Sequence, residues 1–118
     1  MNIRNQVLTF SQSEKIKSAL IWIAHCAQIL PGLAPSHQRG AENVMAAMVS
    51  MVLDEVHLIR RLSSDTNWIE VEKHIDLALV MINSGVASEA AFHVTNALTH
   101  VTTIGRGAMS VLKDSGIL

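Results

Sequence analysis

The chain is short of several things, and each shortage excludes something. Cys26 is the one cysteine in 118 residues. It has no internal partner for a disulfide, so the sequence suits a reducing, cytoplasmic setting. Tyrosine is absent and aromatics make up 3%: Phe10, Trp22, Trp68 and Phe92. Core volume must then come from Leu, Ile, Val, Ala and six Met, a set that suits helix-on-helix packing better than sheets. No run of five like charges occurs, the net charge is −1, and the basic residues are scattered from Arg4 to Lys113. A nucleic-acid binder needs a basic stripe, because phosphate contacts supply most of its affinity. The most apolar stretch, 19–30, is broken by His25 and Gln28 and is too short to cross a bilayer. Lys15 and Lys17 precede it, but its long polar lead-in departs from the layout of a secretion signal. Membrane and nucleic-acid partners are therefore not expected. Neither G-x-x-x-x-G-K nor G-x-G-x-x-G occurs, so no glycine-rich phosphate loop is present.

What the chain does hold is apolar residues, at 49%, spaced by threes and fours. The length is that of one domain, and the pattern predicts an all-α fold: an antiparallel, up-and-down four-helix bundle of two helical hairpins spanning 1–118. Residues 1–10 carry no clear period and are expected to be a lead-in. Ser11 and Glu14 form an S-x-x-E capping box, which places the first helix from there to about Leu30. Its core stripe is Ile16, Ala19, Leu20, Ile23, Ala27 and Leu30, leaving Trp22 and Ile29 outside. Pro31-Gly32-Leu33-Ala34-Pro35 breaks the helix, and Ser36 caps a second one running to about Leu62. That helix carries two apolar stripes side by side. Val44, Met48, Met51, Leu58 and Leu62 form one, and Met45, Val49, Val52, Val56 and Ile59 the other. A turn follows at 63–66, then Asn67 and Glu70 open a third helix that ends at Asn83, with Gly85 as its C′ residue. The fourth helix runs from about Ala87 to Lys113. Gly105-Arg106-Gly107 interrupts it, which fits a close helix approach or a bend.

Two functional expectations follow. The first is a non-enzymatic interaction module that associates with itself, or with another protein, through an apolar helix face. Met45, Met48 and Met51 sweep a wide arc of the second helix, and Trp22 and Ile29 lie beyond the core stripe of the first. The second expectation is a helical bundle that binds a transition metal ion. Glu89, His93, Asn96 and His100 share a face of the fourth helix, and two imidazoles with a carboxylate are ligands for zinc, iron or copper. His93 and His100 are two turns apart, about 10.5 Å by the helical rise, so one ion needs help from another helix. His74 is a candidate helper, and Glu70-x-x-x-His74 repeats the spacing of Glu89 and His93. Glu55 completes the candidate set, because it occupies a core-type position where an unpaired carboxylate is costly. The Glu-x-x-His motif of di-iron bundles is missing. Hydrolase chemistry finds no support either: His25 and Cys26 are sequence neighbours and point about 100° apart on a helix. His37 stands at a helix start after Pro35, not mid-helix as a phosphotransfer histidine would. No catalytic set and no resident cofactor are expected beyond the metal ion of the second alternative.

Overall fold

The computed structural model describes residues 2–117. Four α-helices fill them: α1 (Ile3–Ile29), α2 (Pro35–Arg60), α3 (Asn67–Asn83) and α4 (Ala87–Asp114). No strand occurs among the described residues. The helices alternate in direction and form an antiparallel bundle of 54 × 22 × 17 Å. Among the described residues no helix is long and apolar enough to cross a membrane. Around the bundle the order is α1, α4, α3, α2; α1 packs most extensively on α4, and α1 against α2 is the loosest neighbouring pair.

α1 begins much earlier than the capping box at Ser11. Asn2 is its N-cap, and the Asn2 side chain accepts a hydrogen bond from the Asn5 backbone N–H. The expected lead-in at 3–10 is thus helical, and Ser11 lies on the exposed side of a continuing helix. The reason lies in the core stripe. It runs Thr9, Ser13, Ile16, Leu20, Ile23, Ala27, Leu30, all buried at spacings of three and four, and its first two members carry hydroxyls. The Ser13 hydroxyl is satisfied locally by donating to the Phe10 carbonyl at 2.7 Å.

The connections close as their turn residues dictate. A short 3-10 turn over Leu30–Gly32 ends α1, and α2 starts at Pro35, whose missing N–H costs nothing in the first turn. Gln38 donates to the Leu33 carbonyl at 3.0 Å, tying α2 back to that turn. Between α2 and α3 the Asp65 carboxylate accepts from the Asn67 N–H at 2.9 Å. Gly85 has φ +80°, and the Gly85 and Val86 N–H groups donate to the Ile82 and Met81 carbonyls, the bond pattern of a Schellman stop.

The core follows the sequence stripes closely. Trp68 is the largest fully buried side chain, in an apolar core to which all four helices contribute. On α2, Met45, Val49, Val52, Val56 and Ile59 face inward, whereas the parallel stripe does not: Val44, Met51 and Leu58 are exposed, as is Leu62 just past the helix end. Gly105 marks the close approach of α4 to α1. A β-carbon there would stand 2.9 Å from the Ser13 hydroxyl oxygen, and α4 continues through the glycines as one helix.

Candidate functional site

Two opposite sides of the bundle hold the features that the core does not absorb. The first lies between α1 and α2. A groove of about 330 Å³ runs there, lined by Ala19, Trp22, Met48 and Met51, with Lys15 and Glu55 at one end. Trp22 is 70% exposed and Met51 60% exposed. Ile29 stands two turns along α1 from Trp22, and Val44 and Leu58 extend the Met51 stripe along α2; each of these three is more than half exposed. Met45, expected at this surface, is 3% exposed and faces the core, because it falls on the inner stripe of α2 rather than on the stripe of Met48 and Met51.

Glu55 closes one end of the groove and is not among the residues grouped with the imidazoles. Its carboxylate accepts from the Lys15 ammonium at 2.8 Å and from the Gln12 amide, which also reaches the Glu55 carbonyl. The Lys15 hydrogen bond, then that of Gln12, holds the Glu55 carboxyl below its ordinary pKa. It is therefore a pinned ion pair joining α1 to α2, and it is removed from the metal-ligand set.

The second feature lies between α3 and α4. His74 on α3 sits between His93 and His100 on α4, with ring centroids 6.3 and 5.7 Å away and the rings near parallel. Glu70, one turn before His74, joins them: Glu70, His74 and His100 each place one donor atom within 4.8 Å of the other two. All four side chains are half-buried. The Nδ1 atoms of His74 and His93 are buried and have no hydrogen-bond partner among the described residues. Burial first, and then the neighbouring His100, depresses the His74 pKa, while Glu70 pushes it the other way. Near neutral pH the His74 ring is thus an uncharged donor with a lone pair to give. Glu89, expected in this set, is exposed in the first turn of α4, three turns before His100, and is no part of the group. Glu70 takes its place. Its spacing to His74 was visible in the sequence; the register that sets α3 against α4 was not.

A further polar group joins α2 to α3. His57 and Arg60 of α2 both contact the Glu72 carboxylate of α3, with His57 Nε2 at 2.7 Å from Oε1. The larger grooves, beside the start of α1 and along α1 and α4, hold neither an imidazole nor the thiol. Taken together, the fold and these two faces define an all-α four-helix bundle with an uncovered apolar side and an imidazole cluster opposite. No protein-family model matches the chain, and neither the curated proteins nor the solved structures yield a significant match.

Proposed function

We propose that the protein is a non-enzymatic interaction module that pairs with a second copy of itself through the α1–α2 face. The observation that carries this reading is the apolar groove lined by Trp22, Met48 and Met51, with Ile29, Val44 and Leu58 exposed further along the same two helices. Isolated exposed apolar residues are ordinary; a contiguous set on one face, with a tryptophan at its centre, marks an interaction surface.

The size fits a stable pair. α1 and α2 have 27 and 26 residues, so each is about 40 Å long. Two helices side by side are about 20 Å wide, giving a face of roughly 800 Å², the share each partner contributes to a standard interface. Shape favours a second copy. Two ridges with a groove between them are self-complementary: across a two-fold axis the Trp22 ridge of one subunit enters the groove of the other, and the reverse. The Lys15–Glu55 pair is already satisfied within each subunit, so it can lie at the rim without needing a new partner. A reducing cytoplasm, where Cys26 stays a thiol, is the compartment this reading assumes.

Sedimentation equilibrium tests it. The wild-type chain is expected to dimerise, and Trp22→Lys, a change at an exposed site with little effect on the monomer, is expected to give monomers. A wild-type chain that stays monomeric at high micromolar concentration would rule the reading out.

A further inference from the structure

We infer that the α3–α4 face is a metal site: Glu70, His74 and His100 bind one divalent first-row transition ion of the zinc type, with His93 beside the fourth position. This inference is independent of the pairing of α1 and α2, which uses the other side of the bundle.

The donor chemistry selects the ion. Two imidazoles and a carboxylate suit zinc and its neighbours; calcium and magnesium prefer all-oxygen shells. The geometry lies close to what such an ion needs. Ligands at about 2.0–2.1 Å from a tetrahedral centre are roughly 3.4 Å apart. The three donor atoms lie within 4.8 Å of one another, so side-chain rotation closes the remaining gap without moving a helix. The ligands come from two neighbouring antiparallel helices, and a bound ion would bridge them as a staple.

A second observation points the same way. Two imidazole nitrogens, Nδ1 of His74 and of His93, are buried and unpartnered. A buried polar atom without a partner costs the folded chain, and such atoms are expected where a ligand supplies what the protein does not. Two half-buried imidazoles beside one carboxylate also make poor structural use of their surface: the rings of His74 and His100 are stacked 5.7 Å apart, with the Glu70 carboxylate within 4.8 Å of both. An ion accepts lone pairs from both rings at once and takes up the Glu70 charge.

Three protein ligands on this face leave a fourth position. His93 lies on α4, two turns before His100, its ring 6.3 Å from the His74 ring, and fills that position if its side chain swings toward the ion. The site is then closed, as in structural zinc centres; with His93 withdrawn it holds an exchangeable water.

The experiment titrates Zn2+ and Co2+ into the untagged full chain after treatment with a chelator, read by calorimetry and by the visible absorption of bound Co2+. One ion per chain is expected. His74→Gln and His100→Gln are each expected to weaken binding at least about 100-fold, and Glu70→Gln by about 10-fold, with helix content by circular dichroism unchanged. His93→Gln is expected to keep the ion but alter the Co2+ spectrum. His57→Gln, at a histidine paired with Glu72 and outside the proposed ligand set, is the control and keeps wild-type affinity. No saturable binding to the wild-type chain would overturn the site. So would binding that survives both His74→Gln and His100→Gln, since it would then belong to exposed histidines such as His25 or His37.

Discussion

Gly105 and Gly107 stand two residues apart in the same helix and carry opposite requirements. Either one loses about 1 kcal/mol of helix propensity relative to alanine. Nothing lies within 4 Å of a β-carbon built on Gly107, which is exposed, so Gly107→Ala is expected to stabilise the chain by about 0.5–1 kcal/mol. At Gly105 the same methyl meets the Ser13 hydroxyl at 2.9 Å. Ser13 is 1% exposed and can yield only by breaking its bond to Phe10. The overpacking cost, about 1–2 kcal/mol, offsets or exceeds the propensity gain, so Gly105→Ala is expected to be neutral to destabilising by about 1 kcal/mol. The pair can be isolated by a double-mutant cycle with Ser13→Ala, since the Ser13 β-carbon itself is 3.7 Å away, an ordinary contact. Chemical denaturation of the four variants should give a coupling of about 1 kcal/mol in favour of the double mutant. Equal effects at both glycines would contradict the close approach of α1 to α4.

Helix α1 illustrates which elements reveal themselves in a sequence. From Ile16 onward its inner stripe is aliphatic and reads directly. Before that the same stripe continues through Ser13 and Thr9, and a search for apolar spacing stops there even though both side chains are buried. A hydroxyl that bonds to its own helix, as that of Ser13 does, costs the core little, yet the letter gives no sign of burial. The second consequence at this scale concerns how α1 is tied to α2. Few core contacts join them, and Glu55 holds both Lys15 and Gln12 of α1. Its carboxyl is more acidic in the folded chain than the value of about 4.3 for unfolded Glu. The stability it supplies is therefore fully present above that value and is lost as pH falls through the lower, folded one. Because Lys15 is 62% exposed, the effect is within the range of surface pairs, about 0.2–1 kcal/mol. Glu55→Gln should lower the urea midpoint slightly at pH 6 and change it least at pH 3. A midpoint difference that persists undiminished at pH 3 would show that the ion pair is not what joins the helices.

At the scale of the molecule, the four stripes that make the core were legible because each is a property of one helix. What lay beyond reach was which stripe meets which neighbour. Helix α2 has two apolar stripes, and only packing decides that Met45 turns inward while Met51 stays out. The imidazole cluster has the same character: His74 and His100 come from helices whose relative register no local spacing records. The uncovered stripe then has a consequence for stability. If α1 and α2 pair with a second copy, association is linked to folding, and the melting temperature rises with protein concentration. Calorimetric scans over a hundredfold range of concentration should show a rise of several degrees for the wild-type chain. Trp22→Lys should melt at a temperature independent of concentration, close to that of the most dilute wild-type sample, since the indole is 70% exposed within one subunit. Added Zn2+ provides the contrast. Through Glu70, His74 and His100 it should raise the melting temperature of wild type and Trp22→Lys alike, because an ion held within one chain does not depend on pairing. A wild-type melting temperature that ignores concentration would leave the α1–α2 face without its partner, whatever the metal does.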